Sequence, residues 1–376
     1  MKLILQAKNI IKKEPVMCIA FLLAFFSMFF VTPDLKYVSY IDFRTLCILF
    51  CLMTSVAGFK KCGVFDCIAS GLLSFVKSKT GIFLVLILGC FFLSMIMTND
   101  VALITFVPFA ILTLKKAQLH SKMIFVIVMQ TIAANLGSML TPFGNPQNLF
   151  LYNLSQMSFL DFITLMLPLT AFSLVLIIAS TLVFSRGSNG TTPKLDKAVI
   201  TDKKRSVLYL LFFVFSLLFV TRIIDIDWAY YAGIGILFVL ICDRKIFKEP
   251  DYCLLFTFVF FFVFIGNVSR IDFVNSFLSS AVKGNELFAG VAVSQIISNV
   301  PAAILLSAFS GDTNFLILGV NIGGLGTLIA SMASLISYKM YAREYPHKKI
   351  KYLVVFTVFN AIFLALLITF QVIFNL

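Results

Sequence analysis

The chain has 376 residues, of which 60% are hydrophobic and only 12% charged, and its mean hydropathy is +1.03. A soluble protein of this size could not cover so much apolar surface, so the composition excludes a soluble domain and points to an all-α polytopic membrane protein. The net charge of +13 does not indicate nucleic acid, because the basic residues fall between apolar blocks and form no patch within one soluble unit.

A spanning helix needs roughly 20 residues for a hydrocarbon core of ~30 Å. In chain order, the spans are predicted at 16–31, 45–59, 122–154, 159–184, 206–221, 228–242, 252–266, 315–339 and 352–374, about nine in all. Lys8, Lys12 and Lys13 precede the first run and no small-x-small cleavage site follows it, which predicts a cytoplasmic amino terminus. Residues 81–114 are different. The apolar run after Thr98-Asn99-Asp100 is short, about 21 Å at 1.5 Å per residue, with Lys79 and Lys115 at the outer ends. That pattern predicts a re-entrant hairpin. A second, with shorter arms still, is expected at about 285–310 around Ser298-Asn299.

The two tips repeat each other. Ser94-Met95-Ile96-Met97-Thr98-Asn99-Asp100 returns as Ser294-Gln295-Ile296-Ile297-Ser298-Asn299-Val300. Each is preceded by an amphipathic stretch, 66–77 and 272–283, in which six of twelve positions match. Each is followed by a glycine-broken helix, through Asn135, Gly137, Thr141 and Asn145 in one case and Asn321, Gly323 and Thr327 in the other. With the amino terminus inside, all but five of the 30 lysines and arginines (Lys36, Arg44, Arg222, Arg270 and Lys283) fall on the cytoplasmic side. The first hairpin then opens to the cytoplasm, the second outward, and the carboxyl terminus lies outside. This is the arrangement of two inverted-topology repeats: 1–185, a polar cytoplasmic linker at 186–205, and 206–376 with one extra span.

Polar side chains at membrane depth point to ion handling or transport. Ser94 and Thr98, like Ser294 and Ser298, lie four apart on one helical face beside the tip asparagine. Hydroxyl, amide and freed carbonyl oxygens are hard neutral ligands suited to a small cation such as Na⁺, while exposed helix amino ends favour an anion. Asp100 is the one acidic residue of seventeen well inside an apolar block. It reads as an ion-coupling carboxylate, as a cap for the following helix, or as a solvated turn residue. Asn135 and Asn321 suit helix–helix hydrogen bonding or ligand contact alike. Arg222 and Arg270 are expected to snorkel, and Trp228, Tyr230 and Tyr231 to form an interfacial aromatic belt. The eight cysteines form no CxxC pair and read as core residues, and His120 and His347 lie between spans.

At Thr98-Asn99-Asp100-Val101-Ala102, Thr141-Pro142-Phe143-Gly144-Asn145-Pro146-Gln147-Asn148 and Ser298-Asn299-Val300-Pro301 the chain resembles the ion transporter superfamily. That group holds divalent-anion/sodium symporters, citrate transporters, arsenite permeases and a class of sodium/proton antiporters. The resemblance implies a dimerising scaffold and a transport unit that moves as an elevator. It implies Na⁺ sites at Ser94, Thr98, Asn99 and the Gly137 region with Asn135, and at Ser294, Ser298, Asn299 and the Gly323 region with Asn321. The substrate, a small anion, is expected between the tips, against Asn99, Asp100, Thr141, Asn145, Asn299 and Thr327. Dicarboxylate symporters carry Ser-Asn-Thr at both tips. Asp100 departs from that and is closer to the arsenite-permease and antiporter branches. The expected function is cation-coupled anion transport in the cytoplasmic membrane, with Na⁺ or H⁺ as coupling ion and no other cofactor. The alternatives are a Na⁺/H⁺ antiporter or arsenite-type efflux. A channel and an intramembrane enzyme fit less well, and no nucleotide-binding loop is present.

Overall fold

The computed structural model describes residues 14–76, 78–186 and 197–374. Among the described residues there are eighteen α-helices and no strand. Residues 187–196 of the expected linker, and Lys77 at the end of the first amphipathic stretch, lie outside the described residues. Beyond the linker gap the chain returns to the protein. Ala198 N–H donates to Ser70 Oγ (2.9 Å) and Thr201 N–H to the Cys62 carbonyl (3.0 Å).

One group of helices packs around α3 (Phe43–Lys61). It contains α1 (Pro15–Ser27), the short α2 (Lys36–Tyr40), α10 (Lys203–Val220), α11 (Trp228–Cys242) and α12 (Tyr252–Val268). Lys61 donates to Asp243 at the end of α11, and this bond holds the Asp243 carboxyl below its usual range. The second group begins with α5 (Lys79–Ile96), α6 (Asn99–Lys116) and α7 (Met123–Ser138), which pack on one another. It continues with α8 (Pro146–Ser155) and α9 (Phe159–Ser185). From the second half come α14 (Glu286–Ile297), α15 (Asn299–Ser307), α16 (Thr313–Ile322), α17 (Met332–Glu344) and α18 (Lys349–Phe374). α12 against α15 and α3 against α8 join the groups. The amphipathic stretches are α4 (Val64–Ser74) and α13 (Asp272–Val282), and α13 turns 106° from α12.

Against about nine expected spans, five helices among the described residues are long and apolar enough to cross a membrane, or six if the bent α12–α13 pair counts as one. Two of the predicted spans are interrupted, as the broken-helix reading expects, at 139–145, which carries Pro142 and Gly144, and at 323–331, which carries Gly323, Gly324 and Gly326. α1 and α11 have only 13 and 15 residues, and α10 starts with Lys203, Lys204 and Arg205. The arms of the first pair, conversely, are longer than expected. α6 runs 18 residues, ~27 Å, because Lys115 and Lys116 remain helical where the macrodipole favours cations. The length argument for re-entry therefore does not apply to this pair. The second pair, at 12 and 9 residues, is short.

One interfacial reading changes, that of Tyr231, and the two arginines find specific partners. Arg222, at φ +59°, donates to the carbonyls of Tyr152 (3.3 Å), in the last turn of α8, and Met157 (3.2 Å), in the loop after it. Arg270 bonds Asp34 and Tyr40, both at 2.9 Å. Tyr231 is fully buried, stacked on Phe219 at 4.0 Å, while Tyr230 stays exposed.

Candidate functional site

The site is built where the two helix pairs meet the two broken helices. α5 and α6 run antiparallel. Leu86 and Phe106 present carbonyls to the one amide of Gln130 (3.0 and 3.2 Å), and Cys90 lies against Ala102 nearer the turn. The turn is Met97-Thr98, both extended. Asn99 and Asp100 are thus the first residues of α6, with Thr98 in the cap position, not residues of an open loop. In the second half the connection is one residue, Ser298, and Asn299 begins α15.

Three contacts tie each first arm and tip to the broken helix that follows, and the two halves make them with residues in the same order and spacing. Ser94 lies against Gly137 so closely that an added Cβ there would sit 2.6 Å from Ser94 Oγ and 2.1 Å from the Phe91 carbonyl. Ser294 lies likewise against Gly323, 2.8 Å from an added Cβ. Thr141 Oγ1 donates to the Met95 carbonyl (2.6 Å), and Thr327 Oγ1 to the Gln295 carbonyl (2.9 Å). Asn99 N–H donates to the Gly144 carbonyl (3.2 Å), and Asn299 N–H to the Ala330 carbonyl (2.9 Å).

The halves also bond to each other, reciprocally. Asn145 Nδ2 donates to Asn321 Oδ1 (3.2 Å), while Ser331 Oγ donates to Asn135 Oδ1 (2.9 Å). Asn145 and Ser331 hold equivalent places in the two breaks, as do Asn135 and Asn321. Exchange of this kind is what a two-fold relation produces. Asn135 Oδ1 also accepts from Asn99 Nδ2 (3.0 Å), and Asn135 Nδ2 reaches the Gly324 carbonyl (3.5 Å). Gly324 in turn lies under the Asn299 amide, which an added Cβ would approach to 2.9 Å. The two tips are therefore connected through Asn135 and Gly324. All these side chains are buried, where an unpaired amide costs about 1–3 kcal/mol.

Several partners went unremarked in the sequence. Asn148 Oδ1 accepts from Asn321 Nδ2 (2.6 Å), and its amide donates to the carbonyls of Met139 (3.1 Å) and Thr141 (3.3 Å). Gln295 Nε2 donates to the carbonyls of Gly323 (2.9 Å) and Leu325 (3.0 Å), and its Oε1 accepts from Thr327 N–H (2.9 Å). Break carbonyls that were expected to be free for a cation thus carry protein donors in both halves.

Asp100 stands apart. Its Oδ1 is sealed from solvent and has no hydrogen-bond partner. It lies on a cavity of about 230 Å³ that also touches Thr98, Pro146, Lys60, Glu249 and Asp251. No cysteines are paired and no cluster of three or more metal-ligating side chains occurs among the described residues.

An all-helical membrane chain with buried amides joining two similarly wired halves belongs to the class of membrane transporters, and comparison with known proteins agrees. The family model for the citrate transporter family matches residues 3–315, and the chain belongs to that family. It is 34% identical over 303 residues to "Uncharacterized transporter MJ0456" of Methanocaldococcus jannaschii, covering 80% of this chain and 81% of that one. It is 28% identical over 304 residues to "Inner membrane protein YbiR" of Escherichia coli, covering 80% of each. The citrate transporter family lies within the superfamily that the tip motifs resemble.

Proposed function

We propose that the protein is a secondary active transporter. It moves a small anion, an inorganic oxyanion or a carboxylate, across the cytoplasmic membrane, coupled to Na⁺ or H⁺. The observation that carries this reading is the doubled wiring of tip to broken helix, with its reciprocal Asn145–Asn321 and Ser331–Asn135 bonds. Inverted repeats around a midplane site produce that relation. In this reading the two pairs are re-entrant hairpins, the first facing the cytoplasm and the second outward. Their tips, Asn99 and Asn299, flank the anion, while Ser94, Thr98, Ser294 and Ser298 offer oxygens to a cation. The α3-centred group serves as the scaffold and dimerises. The other group moves as an elevator, with α4 and α13 lying in the interface as connecting arms. The amino terminus is cytoplasmic and the carboxyl terminus outside. An inner-membrane relative supports the location.

A second reading rests on Asp100. A half-buried carboxylate on a cavity, with one oxygen unpaired, is suited to exchanging Na⁺ for H⁺, and would make the protein an antiporter that moves no anion. An arsenite-type efflux permease shares the same residue pattern. The test is uptake of radiolabelled citrate, phosphate and arsenite into proteoliposomes under imposed Na⁺ or proton gradients. Asn99→Ala and Asn299→Ala serve as comparison proteins. Gradient-driven anion accumulation that both variants lose is the expected result. Na⁺-driven proton movement with no anion flux establishes the antiporter instead.

A further inference from the structure

The cavity beside the first tip is formed between the two helix groups. α3 supplies Leu52, Val56 and Lys60 on one side, and α6 supplies Asp100 and Ile104 on the other. Its walls are mostly apolar. The charged groups on it are three carboxylates, Asp100, Glu249 and Asp251, against the single ammonium of Lys60. Glu249, Asp251 and Lys60 are exposed and mark the mouth. By the charge pattern of the loops that mouth faces the cytoplasm. Asp100 lines the same cavity beside the tip, half-buried, with one carboxylate oxygen sealed and without a hydrogen-bond donor. The charged groups and the histidine on the helices packed against α6, namely Asp66, Lys79, His120, Lys122, Lys339, Arg343 and Glu344, do not line the cavity.

We infer that this cavity is the cytoplasmic entrance for a small monovalent cation of the Na⁺ class, collected by Glu249 and Asp251 and delivered to Asp100 beside Thr98. The inference rests on the transporter reading and adds a route and an ion sign to it. A low-dielectric cleft lined by one sign of charge concentrates counter-ions by roughly tenfold or more. The same field opposes a free anion, so an anion meets the tips without cation company only against this potential. Lys60 is the one opposing charge, and its removal strengthens the effect. Asp251 also caps α12, accepting from Leu254 N–H at 2.9 Å, a role that asparagine fills equally well.

The test uses the purified full-length protein at fixed pH and constant ionic strength, with choline replacing Na⁺, and reads thermal stability against Na⁺ concentration. The Glu249→Gln/Asp251→Asn double variant is expected to raise the half-saturating Na⁺ by roughly tenfold, an effect that salt screening reduces. Lys60→Gln lowers it, and Asp100→Asn abolishes the Na⁺ response. Asp272→Asn, a charge-matched control away from the cavity, leaves the response unchanged. An unaltered half-saturation in the double variant overturns the inference, as does an equal shift in the control or a wild type indifferent to Na⁺. Proteoliposomes that take up no anion while the Na⁺ shifts follow this order reject the anion reading and uphold the entrance.

Discussion

The two tips are wired alike but held differently. The first connects its helices with two relaxed residues, Thr98 lying at φ −68°. The second turns in one residue, Ser298, at φ +78°, where a side chain adds strain of about 1–3 kcal/mol. The first tip clamps its asparagine with a hydrogen bond from the Asn99 side-chain amide to Asn135 Oδ1. The second instead fastens its broken helix with Gln295, where the first half has only Met95. A carboxylate follows the first asparagine, and buried Val300 follows the second. The same contact geometry thus occurs at both tips, while charge lies at one and strain at the other. The first tip carries the electrostatics. The second carries the conformational tension.

Exchanging these features tests the division. The largest effect is expected from Val300→Asp, which would bury a carboxylate without the cavity that serves Asp100. A cost of several kcal/mol and loss of monodisperse protein in size-exclusion chromatography should follow. Asp100→Asn in the same assay should leave the fold intact or slightly more heat-stable.

Glycine substitutions come next. At Gly137 the added methyl meets backbone oxygen at 2.1 Å, whereas at Gly323 its closest contacts, at 2.8 Å, are atoms of the Ser294 side chain. Gly137→Ala should reach or exceed the upper end of the ~1–3 kcal/mol range for overpacking, and Gly323→Ala should stay below it. Melting of the purified variants gives the order.

Smaller again are the reciprocal bonds. Double-mutant cycles on Asn145/Asn321 and on Ser331/Asn135 should each give coupling of about 0.5–3 kcal/mol, with non-additive melting shifts. Additive pairs would remove the two-fold argument. The smallest effect has opposite signs at the two tips. Ser298→Gly should stabilise by roughly 1 kcal/mol through strain relief. Thr98→Gly should destabilise by about 0.5–1 kcal/mol through lost backbone restriction. Equal signs would mean that the tips are held alike after all.

The helical membrane class was legible because apolar blocks and basic punctuation are additive along the chain. The gathering of Asn99, Asn135, Asn145 and Asn321 was legible for a related reason: amides in apolar sequence stand out and must find partners. Their partner choice was not, because Asn145–Asn321 and Ser331–Asn135 join residues far apart in sequence. Gln295 sat in plain view within the repeated motif, but only the depth of the break at Gly323 shows what its amide is for. Helix ends misled most. Lys115 and Lys116 read as a boundary, yet they stay helical: cations suit a helix carboxyl end, and α17 packs on α6 there, with Lys115 bonding Glu344. The charges of the cavity mouth looked like ordinary loop residues, since the fold alone brings Asp251 opposite Asp100.

The reciprocal bonds also bear on how the protein is made. Asn135 and Asn145 emerge from the ribosome long before Asn321 and Ser331, and until those arrive their amides have no native partner across the break. Asn99 and Ser138 already give these amides partners within the amino-terminal half, so what waits for the second half is their remaining bonding capacity, together with Asn148 Oδ1. Domains ordinarily fold as units during synthesis. Here the first half completes its interior only when nearly the whole chain has been translated, so truncation late in the chain should damage residues near its beginning.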